Sequence, residues 1–346
     1  MVGLKNFIIF MIIILMLIVV VLVIPKKDDN LVPVTPTPTI SNTPQPTPNL
    51  DATPTPPELD KEIEFTDVYL ELVVRELMNK PIGAILESEV RQIKELEARV
   101  CAIRSIEDLK YFTSLERLDL YGNRISDISV LKHLTNLKYL DLSHNFSSIY
   151  VGDREGMVLE PLRNLTRLEV LYLDKNFISD ISPLSSLVSL KRLSLKQNRI
   201  SDVSPLKRCV NLEYLDLSKN YHEASEQEYY GVEDLTELAN LQKLVYIDIS
   251  FNTVEDITPL SVLSNLEVLL AGDNWIEDIE CLRGHEKLRE LDVHLNMISY
   301  FDAILEMPSL KKLFYDRNPI MDYYPIDLFE GVITPTPDLS TPQPTY

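Results

Sequence analysis

Leucine residues recur along the chain in one fixed frame. Leu115, Leu118 and Leu120 are followed by Asn123, and this frame, Leu-x-x-Leu-x-Leu-x-x-Asn, returns mostly at a spacing of 22 residues. Counting a degenerate first copy, ten frames lie between residues 93 and 329. The Leu-x-Leu part of each frame alternates inward and outward side chains, which predicts a short β-strand.

The segments between the frames predict how the strands are joined. Segments such as Ser-Asp-Ile-Ser-Pro-Leu at residues 179–184 place Pro where it suits the first turn of a short helix or 3₁₀ turn. The Asn of each frame is expected to be internal, where its amide satisfies backbone groups of the neighbouring turn. We therefore predict that the strands stack in parallel over one buried spine of leucines.

This frame and period are typical of leucine-rich repeats. Residues 123–131, echoed by residues 176–184, resemble the internalin type of bacterial cell-surface repeat. The resemblance implies an α/β solenoid: an arc with short parallel strands on the concave face and 3₁₀ or short helical turns on the convex face. It also implies ligand capture on the concave face and a small helical amino-terminal cap.

The predicted cap covers residues 63–92, before the repeats at residues 93–329. A helix is expected at residues 65–79, because Leu70, Val73, Val74 and Leu77 keep a helical spacing and Thr66 or Asp67 can cap its start. A second short helix is expected at residues 87–91. The two helices would cover the open hydrophobic end of the array.

One transmembrane helix is predicted at residues 7–24, after a short tail at residues 1–6. These 18 apolar residues would span about 27 Å as a helix, close to the hydrocarbon thickness of a bilayer. A cleaved signal peptide is the alternative, but the apolar run is long and no small-residue cleavage site follows it. Lys5 opposes Lys26 and Lys27, so flanking charge does not fix the orientation.

Residues 25–62 and 330–346 are rich in Pro and Thr. Alternating Thr-Pro pairs favour extended polyproline II structure, so residues 25–62 are interpreted as a disordered stalk and residues 330–346 as a tail. A stalk of this kind favours a location outside the cell, where it lifts a domain off the membrane.

Charge and cysteine content exclude several classes of protein. The net charge of −20 repels nucleic-acid phosphates, so no nucleic-acid partner is predicted. The three cysteines, Cys101, Cys209 and Cys281, fit neither a disulfide framework nor a metal site. Cys101 and Cys209 are expected to be buried, since they occupy Asn-like and Leu-like positions. No cofactor, metal or catalytic residue is predicted, and we interpret the chain as a non-enzyme.

The predicted binding site lies on the concave face, where exposed Tyr residues mix with charged residues. Tyr is rigid and amphipathic, which suits a contact surface. The candidate ligand-binding residues are Tyr121, Tyr139, Asp141, Tyr172, Arg192, Ser194, Lys196, Tyr214, Asp216, Tyr246, Asp248 and Asp292.

Two repeats are longer than the others, with insertions near residues 146–157 and 221–231. They are interpreted either as tolerated surface loops or as the frame of a pocket with Tyr172, Arg192, Ser194, Lys196 and Tyr214 at its floor.

The predicted function is that of a membrane-anchored, single-pass protein of the bacterial cell surface, an adhesin or receptor. It would bind a protein ligand through its concave face and the lipid bilayer through its amino-terminal helix. One alternative is binding of carbohydrate or cell-wall glycan by the same face. The other is a cytoplasm-facing scaffold similar to phosphatase-regulatory leucine-rich-repeat proteins.

Overall fold

The computed structural model describes residues 60–145, 156–225 and 228–333. The predicted membrane helix at residues 7–24, the stalk up to residue 59 and the tail beyond residue 333 lie outside these ranges. Within them, no helix is both long enough and apolar enough to cross a bilayer.

The amino-terminal cap begins with helix α1, Val68–Leu77, which confirms the predicted helix. The Asp67 carboxylate caps it by accepting the backbone N–H groups of Tyr69 and Leu70 at 2.9 and 3.2 Å. Its second oxygen accepts the N–H of Arg104 at 2.7 Å, which ties the cap to the first repeat. Since the carboxylate accepts four backbone N–H groups, the pKa of Asp67 is lowered despite its burial.

The helix buries Leu70 and Val74. Leu77, which shares their helical spacing, is 50% exposed in the last turn, just before the chain turns away at Asn79. Helix α2, Glu87–Val90, follows at the position predicted for the second helix.

Eleven parallel strands of the described residues form one sheet. Ten of them correspond to the ten leucine frames. The strands are β1 Glu95–Glu97, β2 Arg117–Asp119, β3 Tyr139–Asp141, β4 Val170–Tyr172, β5 Arg192–Ser194, β6 Tyr214–Asp216, β9 Tyr246–Asp248, β10 Val268–Leu270, β11 Glu290–Asp292, β12 Lys312–Phe314 and β13 Val332–Ile333. Leu193 is paired with Leu171 on one side and with Leu215 on the other, and this register confirms the predicted spine.

The second long repeat forms an antiparallel hairpin, β7 His222–Ser225 and β8 Glu228–Tyr230. The hairpin leaves the sheet intact, because β6 pairs directly with β9. At the carboxyl end, helix α3 (Tyr324–Asp327) and strand β13 complete the fold. Strand β13 has no leucine frame and was not predicted.

The convex side consists of 3₁₀ turns, as predicted. They span Glu107–Tyr111, Ser129–His133, Glu160–Leu162, Ser182–Ser186, Ser204–Arg208, Thr236–Asn240, Thr258–Val262, Glu280–Leu282 and Asp302–Glu306. An Asp two residues earlier caps most of these turns; for example, Asp202 Oδ1 accepts the backbone N–H of Ser204 at 2.8 Å. Pro183, Pro205 and Pro259 occupy the first turn, where a missing N–H costs nothing.

The buried asparagines link each repeat to the one before it. Asn198 Oδ1 accepts the N–H groups of Asn176 and Ile178 at 3.0 and 3.1 Å. Its amide nitrogen donates to the carbonyls of Leu173 and Leu195 at 3.0 and 2.9 Å. The predicted role of the Asn is therefore confirmed, and each amide closes one turn against the next.

The residue before each Asn has an unusual backbone. Gln197, Lys219 and Phe251 have φ values of 56°, 60° and 58°, in the left-handed region that non-Gly residues rarely adopt. This conformation turns the chain from the strand towards the convex side. The Asn amide fixes both sides of the turn, which compensates for the backbone strain.

The cysteines differ in burial. Cys209 is fully buried at a Leu-like position, as predicted. Cys101 is only partly buried, so the prediction of a buried Cys101 is incorrect. It belongs to the first, degenerate repeat, where its backbone N–H donates to Asn123 Oδ1 at 3.0 Å.

We predict that Asn198→Ala lowers the free energy of unfolding by about 3 kcal/mol or more, because it leaves buried N–H and C=O groups without partners. Urea denaturation followed by circular dichroism measures the loss. The control is Gln197→Ala, a change at the exposed neighbouring residue. Equal midpoints for the two variants would contradict a structural role of the Asn amide.

Candidate binding face

Three outward positions of each repeat line the concave face. The first position starts each strand, the second ends it, and the third lies two residues beyond the second. The first positions are Arg117, Tyr139, Val170, Arg192, Tyr214, Tyr246, Val268, Glu290 and Lys312. The strand register places these side chains next to one another along the sheet.

Arg and Tyr side chains of the first position stack in two clusters. The Arg117 guanidinium lies 3.5 Å from the ring centroid of Tyr139, and the Arg192 guanidinium lies 4.6 Å from that of Tyr214. Tyr214 and Tyr246 stack with centroids 4.4 Å apart and an interplanar angle of 8°. Since the Tyr rings remain partly exposed, they offer aromatic contact area that is already ordered.

Two other predicted Tyr residues extend this surface towards the amino terminus. Tyr172 meets Tyr139 edge-on with ring centroids 5.9 Å apart. Tyr121 lies 4.9 Å from the His144 ring and 4.8 Å from the Arg99 guanidinium. The predicted Tyr residues thus lie in two adjoining groups, one on β2–β4 and one on β6–β9.

The second positions are more recessed than the sequence suggested. Asp141, Ser194, Asp216 and Asp248 are all buried, with 3–7% of their surface exposed. Asp141 Oδ1 accepts the backbone N–H of Ser143 at 2.8 Å, and Asp248 Oδ1 accepts that of Ser250 at 2.9 Å. One oxygen of these carboxylates is therefore committed to the backbone.

Asp292 lies apart from the other candidates, on β11 beyond the apolar strand β10. Its Oδ1 lies 2.6 Å from His294 Nδ1. Burial alone would lower the pKa of His294, but the hydrogen bond and charge of Asp292 raise it overall.

Three residues outside the candidate set also belong to this face. Arg99 and Arg117 stack on Tyr rings, and Asp174 accepts the Ser194 hydroxyl at 2.5 Å and the Lys196 N–H at 3.0 Å. The sequence signal for the stacked arginines is an Arg followed by a Tyr at the same position of the next repeat.

The first long loop lies largely outside the described residues. The second forms the hairpin, in which the rings of His222 and Tyr230 stack 5.6 Å apart. The backbone N–H of Tyr221 donates to Phe251 O at 3.1 Å, so the hairpin starts from the edge of the array where the asparagines lie. The pocket framed by both loops stays a prediction.

Comparisons with known proteins agree with this architecture. A family model for leucine-rich repeats (two copies) matches residues 113–150 and 188–225. An internalin, InlF, from Listeria monocytogenes is 26% identical with a TM-score of 0.56, over 78% of this chain and 95% of that chain. A comparison with curated proteins finds no match.

The chain is an internalin-like leucine-rich-repeat protein.

Two further solved structures share its fold at lower identity. The functional domain of InlJ from Listeria monocytogenes gives a TM-score of 0.61 at 21% identity, over 75% of this chain and 52% of that chain. The repeat ectodomain of a plant membrane receptor kinase from Arabidopsis thaliana, in complex with Casparian strip integrity factor 2, gives 0.54 at 20% identity, over 66% of this chain and 27% of that chain.

The centre of the internalin-like concave face holds buried carboxyl groups whose pKa values are raised. Burial raises the pKa of Asp248 to about 6, and the neighbouring Asp216 carboxylate adds to the shift. Burial likewise raises the pKa of Asp174 to about 6, although the Ser194 hydroxyl opposes the change. Lys196 compensates weakly, since its Nζ lies 3.9 Å from Asp216 Oδ2.

Burial and these carboxylates also raise the pKa of the Tyr214 and Tyr246 hydroxyls, so both phenols stay neutral at physiological pH. Among the described residues, no group of three or more His, Cys, Asp or Glu side chains is arranged to hold a metal ion. The face therefore presents neutral aromatic rings and a few cations over a recessed layer of carboxylates.

We predict that the internalin-like domain becomes more resistant to urea as the pH falls from about 7.5 to about 5. Asp174 and Asp248 have a pKa of about 6 in the folded state and an ordinary value of 3.8, so the folded state holds protons that the unfolded state releases. Asp248→Asn removes one charge and keeps an acceptor for Ser250. It should stabilise the protein at about pH 7.5 by on the order of 2 kcal/mol and weaken the pH dependence.

The matched control for Asp248→Asn is Asp202→Asn, the same change at an exposed cap of a convex turn. A urea midpoint whose pH profile is unchanged by Asp248→Asn would argue against the buried carboxylates as its source.

Proposed function

We propose that this internalin-like protein is a membrane-anchored adhesin or receptor of the bacterial cell surface that binds a protein ligand through its concave face. The observation that carries the proposal is the row of stacked Arg and Tyr side chains, Arg117–Tyr139 and Arg192–Tyr214–Tyr246. Tyr and Arg are enriched at the centres of protein interfaces, and here their rings are held in place before binding.

The fold supports protein–protein interaction. A repeat ectodomain with the same architecture is solved in complex with Casparian strip integrity factor 2. In our chain the candidates Tyr121, Tyr139, Tyr172, Arg192, Lys196, Tyr214 and Tyr246 are accessible in part and would contact the ligand. The buried Asp141, Ser194, Asp216 and Asp248 would act beneath them by holding the strand ends and setting the local charge.

We expect the double change Tyr214→Ser and Tyr246→Ser to weaken ligand binding at least about tenfold, because it removes the stacked pair and the support of Arg192. The measurement is affinity capture from cell-surface extracts by the full-length chain in mild detergent, compared between wild type and variant. Tyr69→Ser, at a Tyr on the cap helix that is 49% exposed, is the control.

Capture that is unaffected by the double change would refute the concave-face proposal. A glycan array run with the same proteins addresses the carbohydrate alternative. Glycans that bind the wild type and the control but not the double variant would favour a carbohydrate over a protein ligand.

The proposed anchor is the apolar segment at residues 7–24, followed by the Pro/Thr-rich stalk at residues 25–62. In cells that express the full chain, we expect the protein to sediment with membranes and external protease to cleave it. Deletion of residues 7–24 should leave the protein outside the membrane fraction. A membrane-bound protein that resists protease on intact cells, yet is cut after lysis, would instead support the cytoplasm-facing scaffold.

A further inference from the structure

A row of exposed apolar side chains lies away from the concave face, along the edge where the asparagines turn the chain to the convex side. Its members are Tyr221, Trp275, Met297 and Tyr300, which are 42%, 43%, 55% and 61% exposed. The half-buried Phe251 lies beside Tyr221, because the Tyr221 N–H donates to Phe251 O. We call these five residues the edge row.

Trp275 and Met297 of the edge row come from adjacent repeats, while the buried Thr253 takes the equivalent position between Tyr221 and Trp275. The Trp275 N–H donates to Val254 O at 2.9 Å, and the Met297 N–H donates to Ile276 O at 2.8 Å. Successive repeats therefore place Trp275 and Met297 at equivalent positions about 5 Å apart. Exposed apolar rows of this kind in soluble domains mark interaction sites.

A shallow acidic groove includes Glu277, two residues beyond Trp275. It has a volume of about 410 Å³ and is lined by Glu255, Asp256, Thr258, Glu277, Asp278 and Cys281. The aspartates have a structural role, since Asp256 and Asp278 accept the N–H groups of Thr258 and Glu280 at 2.7 Å.

The two glutamates of the groove are not needed by the fold. Glu255 and Glu277 are exposed, and no Lys or Arg of the described residues forms an ion pair with either. Earlier repeats have Ser179 and Ser201 at the equivalent position. The glutamates therefore add charge beside the edge row without contributing to the repeat itself.

We propose that the edge row and the acidic groove form a second docking surface, which binds a basic, apolar segment of a protein partner. Charge complementarity selects this partner: four carboxylates of two adjacent repeats attract Lys or Arg side chains, while the edge row buries the apolar residues between them. The Trp275 indole can stack on a bound cation. This surface is distinct from the concave face and does not depend on the ligand proposed there.

The chain has a built-in reporter of this site, because Trp275 is its only Trp. The probe is a short synthetic peptide that repeats Lys-Leu-Leu-Lys, added to the full-length protein in mild detergent. We expect Trp emission to shift to shorter wavelength as the indole leaves water. The matched peptide that repeats Glu-Leu-Leu-Glu should give no shift.

The double change Glu255→Gln and Glu277→Gln should weaken binding of the Lys peptide about tenfold, since it neutralises two of the four carboxylates that attract the Lys side chains. The control is Glu64→Gln with Glu95→Gln, which removes the same charge from exposed positions at the other end of the domain. Thermal melts of both variants should match that of the wild type, since all four glutamates are exposed.

Three outcomes would overturn the proposal. The Glu peptide could bind as tightly as the Lys peptide. Both charge variants could weaken binding equally, which would assign the effect to net charge. Calorimetry could show binding while the Trp275 emission stays constant, which would place the peptide elsewhere on the protein.

Discussion

Every repeat of this protein depends on the pairing of backbone groups at the turn from strand to convex side. These groups are buried, so each must find a partner inside the fold. The amide of Asn198 bonds Leu195 in its own repeat and Leu173 in the preceding one, and it accepts N–H groups of the preceding repeat as well. No repeat can complete its hydrogen bonds alone. The repeats must therefore stack both to pair their buried backbone N–H and C=O groups and to bury their leucines, and neighbouring repeats stabilise one another.

The same requirement explains the acids of the concave face. At most of the strand ends, one outward N–H has no partner in the next strand, and a side chain supplies the acceptor instead. Asp216 accepts the backbone N–H of Ser218, and Asp248 accepts that of Ser250. In the fourth repeat, the Ser143 hydroxyl accepts the backbone N–H of Asp174. Residues that look like ligand contacts in the sequence thus have a backbone role first. What remains for recognition is the layer above them, where Arg and Tyr side chains stack.

The strands and the internal asparagines could be predicted from spacing. The convex turns were predicted from the position of Pro, and the amino-terminal cap from helical spacing together with the internalin resemblance. The length of the interval between Leu212 and Leu244 revealed an insertion, but its hairpin depends on pairing that spacing does not encode. The left-handed backbone at Gln197 could not be predicted, because no glycine stands at that position. The recessed position of Asp216 was also hidden, since whether an Asp caps its own strand or faces solvent depends on the local backbone angles. The sequence pattern therefore shows which positions lie on the concave face, but not which of them are exposed.

Ion pairs between successive repeats also favour the observed stacking of the array. The position that precedes each strand alternates in sign along part of the sheet: Glu116 pairs with Lys138 at 2.5 Å and Glu169 with Lys191 at 2.7 Å. Each pair contributes little to stability by itself, yet a shift by one repeat would place like charges opposite each other. Val245 interrupts the alternation, which resumes in the ion pair of Glu267 with Arg289. Glu255 and Glu277 lie outside this series of ion pairs, and neither is paired with a Lys or Arg of the described residues, so both remain available to an external basic group.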